Sequence, residues 1–367
     1  MEQLYSLNLP TNFKFYMSDN KPQFKKENYP INEELRSYLE KYKRLTRINI
    51  FYDDLLRFQG AISVFDKDDK DTLWVRVYYN EFEKVEIDNS LKKIYTLLHS
   101  DGDIKNIQFL NVDYIDFCTF GNSQPFRIKI RNILNDNYTH FYIKKADASR
   151  VFGLELEHIL SPNRINFLVF GDTLIEEHIL GIPGDIFLEN NLKNCSELEK
   201  AQIAKEFVKF NERCTIGLLG DMRAYNFVIV PFYDFDQRVF RIRAIDFDQQ
   251  CYEGSFKLYK PHLFKENFLF NKLVLDKLNQ DAIEQYQNEE RSILVKRLLD
   301  SEIRLNDLLE AMKSTKLAPQ SHIEQLREEI YDYTFDLEFK KADSMGEIVE
   351  VALNFMKRNF KFDENDF

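Results

Sequence analysis

Cysteine is scarce in this chain, and what there is lies scattered. Cys118, Cys195, Cys214 and Cys251 make no Cys-x-x-Cys pair and have no histidine at zinc-ligand spacing. A disulfide framework and a structural zinc site are therefore not encoded, and reduced, mostly buried thiols of a cytoplasmic protein are expected. The histidines form no His-Glu-x-x-His cluster. His178 does follow two glutamates, but along a strand those side chains alternate between faces. No apolar run approaches the roughly 20 residues of a membrane helix. The opening "MEQLYSLNLPTNFKFY" lacks the apolar centre of a signal peptide. Positive charge is also in deficit: 50 Lys and Arg stand against 61 Asp and Glu, a net −11. That leaves no broad electrostatic footprint for nucleic acid, although a local basic groove stays open. Internal repeats, low-complexity tracts and a sustained heptad pattern are absent as well.

Aromatic residues are plentiful. With 33 Phe and 19 Tyr among 44% apolar residues, the chain can bury large cores, which excludes wholesale disorder. A length of 367 residues allows two to three domain units at about 150 residues each.

The polar residues with the most to say are Asp221, Arg223, Asn226 and Asp246. They stand in Leu218-Leu219-Gly220-Asp221-Met222-Arg223-Ala224-Tyr225-Asn226 and in Ala244-Ile245-Asp246-Phe247-Asp248. In phosphoryl transfer an Asp accepts the proton of the attacking hydroxyl, while an Asn and a later Asp hold Mg²⁺. The intervening residues explain how the parts would meet. Phe227 to Tyr233 reads as a strand, Asp234 to Gln237 as a turn and Arg238 to Ile245 as the returning strand. Folding back returns Asp246 to Asn226, and two oxygen ligands at the open end of one hairpin suit a hard, partly hydrated cation. The bland reading is a solvated Asp-Asn turn followed by an unrelated strand end.

"LLGDMRAYNFVIV…RIRAIDFD" resembles the catalytic and metal-binding loops of the protein-kinase-like superfamily. Its Gly-Asp pair and Ile-Asp-Phe-Asp ending lean toward the aminoglycoside-phosphotransferase-like branch of atypical kinases. The resemblance implies an α+β, bilobal fold: a small antiparallel β nucleotide lobe and a larger, mostly helical lobe. It implies ATP and Mg²⁺ as cofactors, Asp221 and Arg223 as catalytic residues, and Asn226, Asp246 and Asp248 around the metal. Arg223 would steady the transferring phosphoryl group or be a surface arginine, and Asp248 would be a metal-shell carboxylate or a loop acid. The acceptor is an unidentified hydroxyl, on a cationic small molecule or on a protein. Two alternatives are a pseudokinase scaffold and a transfer of AMP on the same fold.

Upstream, Ile115 to Phe120 and Phe126 to Arg131 flank Gly121-Asn122-Ser123-Gln124-Pro125. That turn would be a lid over the phosphates through Gly121, or a plain hairpin turn. The run His140 to Lys144 ends as the phosphate-orienting strand of kinases does. Its lysine needs a carboxylate, and Glu155, on a helix expected over Ala148 to Leu160, is the expected partner. Lys145 and Glu157 compete for these roles. A second hairpin, Ile165 to Phe170 and Thr173 to Ile179, leads toward a hinge, where adenine would meet backbone groups at Glu177, His178 and Ile179. Gly181, Pro183 and Gly184 would supply the flexibility.

The sequence also departs from the family. Leu219 replaces the usual histidine, and no activation segment with an Ala-Pro-Glu ending follows Asp248. The domain expectation is residues 1–100 as an N-terminal arm and small α/β accessory region, 101–180 as nucleotide lobe and 181–367 as helical catalytic lobe. Residues 46–100 would either be an accessory unit or add strands to the nucleotide lobe, with a helix over Ser90 to His99 and Trp74 in a core.

Overall fold

The computed structural model describes residues 26–99, 105–120, 123–235 and 237–359. The arm before residue 26, the lid glycine Gly121, the turn residue Asp236 and the acidic tail "KFDENDF" lie outside the described residues. In chain order the elements begin with α1 (Glu33–Lys41), α2 (Tyr52–Leu55), β1 (Gly60–Phe65), β2 (Asp71–Tyr78) and α3 (Glu81–His99). Next come β3 (Leu110–Cys118), β4 (Phe126–Asn132), β5 (Tyr138–Lys145), α4 (Ala148–Leu160), β6 (Phe167–Phe170) and β7 (Thr173–Glu177). The remainder is β8 (Ile182–Pro183), the single turn α5 (Gly184–Ile186), α6 (Glu197–Gly217), β9 (Phe227–Asp234) and β10 (Gln237–Ala244). Helices α7 (Phe268–Lys277), α8 (Gln280–Asp300), α9 (Glu302–Lys313), α10 (Gln320–Thr334), α11 (Glu338–Lys341) and α12 (Met345–Asn359) complete it. The fold is α+β.

The chain divides into two compact units. A sheet unit holds Lys26–Ala148 and Ile165–His178, and a helical unit includes Ser149–Arg164 and the chain from Ile179 onward. These limits differ from the sequence expectation in two ways. Strands β1 and β2 are not a separate accessory region, because they continue one seven-stranded antiparallel sheet in the order β1-β2-β3-β4-β5-β7-β6. Helix α4, from Ser149 on, belongs with the helices and not with the strands before it.

Period-2 alternation builds the sheet. Phe126, Ile128 and Ile130 of β4, with Phe141 and Ile143 of β5 and Ile175 of β7, face a core closed by Leu91, Ile94 and Leu98 of α3. Val112 and Ile115 both reach that core although three positions apart, because β3 slips register between Val112 and Tyr114. Helix α3 starts nine residues earlier than its apolar pattern suggests. Its first turns are exposed, with Phe82 at 83%, so they carry no burial signal. The start is set instead by Asn80, whose side chain accepts from the Glu83 N–H at 2.9 Å and donates back to Glu83.

The other sheet face is charged and aromatic. Asp116, fully buried, accepts from Arg76 at 3.0 Å and Arg127 at 2.9 Å. Those guanidiniums lie 4.0 Å from the Tyr114 ring and 4.5 Å from the Trp74 ring. Trp74, expected in a core, is a half-buried platform for Arg127.

In the helical unit, α6 begins at a full capping box in which the Ser196 hydroxyl accepts from the Glu199 N–H and Glu199 accepts from the Ser196 N–H. It packs on α7, α8 and β10. Arg213 of α6 reaches Glu290 of α8 at 2.9 Å and the Ile242 carbonyl of β10 at 3.0 Å. The strands here form a second sheet, β10-β9-β8.

The expected hinge is part of that sheet. Ile182 and Pro183 pair with Ile229 and Val228. A Cβ on Gly184 would lie 2.5 Å from the Ala224 carbonyl, and one on Gly181 2.7 Å from the Val228 Cβ. These glycines permit close backbone approach, not flexibility. Replacing Gly184 with alanine should therefore cost about 1–3 kcal/mol of stability, as overpacking does. Urea denaturation checks this, and an unchanged midpoint would restore the hinge reading.

Candidate functional site

Helix α6 ends with Leu218 in the left-handed conformation at φ 52°, which turns the chain into the Leu219–Asn226 loop. Asp221 is left-handed too, at φ 57°, a region that Asp and Asn tolerate better than most side chains. Its N–H donates to the Leu258 carbonyl at 3.0 Å. The buried Asn267 amide donates to the carbonyls of Met222, at 2.8 Å, and Pro261. Arg223 Nε donates to Asp221 Oδ1 at 2.6 Å, and its Nη1 donates to Glu266 at 2.9 Å. Asn226 Nδ2 donates to the Asp221 carbonyl at 2.7 Å and approaches Asp221 Oδ2 at 3.4 Å. The loop is thus fixed by polar groups on it and around it, and Arg223 is tied to Asp221 and Glu266 rather than being a free surface group.

Strands β9 and β10 pair in continuous register from Asp234↔Gln237 to Phe227↔Ala244. The Ile245 N–H then donates to the Asn226 carbonyl at 3.0 Å. The hairpin closes as its sequence pattern requires and delivers Asp246 beside Asn226. Burial raises the Asp221 pKa above its ordinary value, Arg223 opposes that, and the charge of Asp246 adds to the rise.

Leu219 is buried and bridges to Gln250, whose Nε2 donates to the carbonyls of Gly217, at 2.6 Å, and Leu218. An apolar side chain thus precedes Gly220-Asp221, and Gln250 makes the polar link to the end of α6. A residue not anticipated from the sequence stands at Asp246. Arg150, early in α4 and 2% exposed, donates through Nη1 to Asp246 Oδ1 at 2.7 Å and Asp248 Oδ1 at 2.8 Å. The one available signal was a lone cation in an otherwise uncharged helix start, Ala148-Ser149-Arg150-Val151-Phe152.

In the sheet unit, Lys144 has a carboxylate partner, but a different one from that expected. Glu176 lies 3.1 Å away, and the two side chains are 7–10% exposed. Tyr142 is opposite Glu176 across β5 and β7, so Lys144 and Glu176 are diagonal neighbours on one face. Glu155 is fully buried and is held by Arg304 of α9 at 2.6 Å. The role assigned to Glu155 passes to Glu176. Helical position does not select the partner here, because α4 is buried almost all round from Val151 through Leu156.

Two of the three backbone positions expected to meet adenine are committed as donors. The Glu177 N–H donates to the Asn166 carbonyl at 3.0 Å and the His178 N–H to the His140 carbonyl at 3.3 Å. Both N–H groups are thus spent on carbonyls of the protein itself. The His178 ring lies 3.1 Å from the Tyr142 hydroxyl, and burial lowers its pKa.

Among the described residues no group of three or more His, Cys, Asp or Glu could cage a metal. Asn226 and Asp246 are the residues here whose side-chain oxygens could meet a hard, partly hydrated cation. No family model matches this chain, and no curated protein matches it either.

Proposed function

We propose that the chain is an ATP- and Mg²⁺-dependent phosphotransferase of bilobal, kinase-like architecture that transfers a phosphoryl group to a hydroxyl. The observation that carries this reading is the joint geometry of one loop and one hairpin: Asp221 is held by Arg223 and Asn226, and Asp246 is returned to Asn226 by β9 and β10. Asp221 would orient the acceptor hydroxyl and take its proton. Asn226 and Asp246, with Asp248 behind them, would hold the ion, whose contribution is to neutralise charge on the phosphates. Lys144, positioned by Glu176, would bind the phosphates as a point charge. Positioning and electrostatics do most of the work in this chemistry.

A scaffold that has lost catalysis is the second reading. It is favoured by the hold of Arg150 on Asp246 and Asp248 and by the committed N–H groups of Glu177 and His178. The thermal midpoint with and without Mg²⁺-ATP separates the two. At a hundredfold excess over Kd a ligand stabilises by about 2.7 kcal/mol, which is several degrees of midpoint. The wild type should gain this only with the metal present, and Asp246→Ala should lose it. No shift in a well-folded wild type would favour the scaffold. The mass added to a modified acceptor distinguishes phosphoryl from AMP transfer.

A further inference from the structure

We propose that Glu266 is a positioning residue that aims Arg223 at the transferring phosphoryl group; the phosphotransferase reading is its premise. A guanidinium carries its N–H donors in a fixed fork, with Nε and Nη2 sharing one edge and Nη1 on the far side. In Arg223, Nε donates to Asp221 Oδ1 at 2.6 Å and Nη1 donates to Glu266 Oε1 at 2.9 Å. Asp221 therefore meets the shared edge through Nε alone. The N–H groups of Nη2 stand beside the carboxylate with no protein acceptor among the described residues.

Glu266 is well placed to hold this aim. The Phe264 ring lies 4.9 Å from the Arg223 guanidinium carbon. Asn267, fully buried, donates to the Met222 and Pro261 carbonyls at 2.8 and 2.7 Å. Glu266 thus belongs to a segment fastened to the same loop whose arginine it holds. Its side chain makes one hydrogen bond, to Arg223, and its Oε2 is buried without a donor among the described residues. No competing tie gives it another task. Without Glu266 the Nε–Nη2 edge would be free to close on both Asp221 oxygens, the two-pronged arrangement that arginine and carboxylate favour. That would take Asp221 from the acceptor hydroxyl and Nη2 from the phosphoryl group. Charge spreads over the outer oxygens of that group in the transition state, where a donor held in advance has most effect. The loss should therefore fall on kcat and not on ATP binding.

ADP release from Mg²⁺-ATP by the full chain, with water as acceptor, tests this beside a crystal structure of Glu266→Ala. The variant should lose at least tenfold in kcat with KM for ATP within twofold. Glu266→Gln, which keeps an acceptor for Nη1, should recover part of the loss. In an Arg223→Met background Glu266→Ala should have no further effect, because nothing is left to aim. The crystal structure should show Nη2 within hydrogen-bond distance of Asp221 Oδ2. If Glu266→Ala does not fold, Glu266→Gln carries the same readings with a smaller loss. Unchanged turnover, an equal loss in the Arg223→Met background, or an Arg223 still joined to Asp221 through Nε alone would overturn the inference and leave the phosphotransferase reading intact. A wild type that neither releases ADP nor is stabilised by Mg²⁺-ATP would remove that reading, and the variant's structure would still decide whether Glu266 sets the arrangement of Arg223.

Discussion

Replacing Asp221 with asparagine should lower turnover by roughly 10²- to 10⁴-fold, the usual worth of a positioned general base, with the loop left in place. Asparagine is the appropriate substitution because residue 221 sits at φ 57°, where Asn is tolerated as Asp is. Its amide oxygen can still accept from Arg223 Nε, which now donates to Asp221 Oδ1. Only the charge and the proton-accepting capacity are removed. Binding of the Mg²⁺-ATP pair should therefore persist, and a matching loss of binding would mean that the loop had collapsed.

The pH dependence follows from burial. Desolvation raises the Asp221 pKa above 3.8, against the opposing hydrogen bond from Arg223. A base must be ionised to work, so the acid limb of kcat/KM should lie above the ordinary carboxylate range and vanish in Asp221→Asn. For stability the direction is opposite. A carboxyl that binds its proton more tightly when folded favours the folded state at low pH. That contribution is lost as pH rises from 3.8 through the raised value.

Breaking the Arg213–Glu290 pair is expected to give the largest loss of stability. The side chains are 9% and 2% exposed at 2.9 Å, and Arg213 also donates to the Ile242 carbonyl, joining α6, α8 and β10. Removing one partner from a buried pair leaves the other charge uncompensated, at a cost of about 3–5 kcal/mol, a large part of a total of about 5–15. Glu290→Leu should show that loss in urea denaturation, and Arg213→Met should show it too. The double variant should recover much of it, because neither charge of the pair is then left without the other. Additive losses would mean that the two side chains act separately and would sink the argument.

Much of the local architecture was legible in the chain. Helix α4 occupies Ala148–Leu160 as its start and the Ser161-Pro162 stop imply. Asn32 and Ser196 cap α1 and α6 through their own side chains. The β9–β10 hairpin has the strands that the runs on either side of Asp234 suggest. These features depend on neighbours a few residues away, so periodicity and capping chemistry settle them. The loop that carries Asp221, Arg223 and Asn226 was legible for the same reason.

Choices of partner between distant segments were not. Lys144 is served by Glu176 because β5 and β7 are adjacent in one register, and Glu155 is taken by Arg304 from far along the chain. Gly181 and Gly184 read as hinge residues until β8 was seen to lie against β9 and the Ala224 carbonyl. Arg150 became part of the Asp246 site only when α4 packed among the helices. Where helices and strands form, where they are capped and which polar groups share a loop can be read along the chain, because each answers to short-range geometry. Which buried charges pair is a matter of long-range packing. In a poorly solvated interior every charge must find a counter-charge, and the placement of whole elements chooses it.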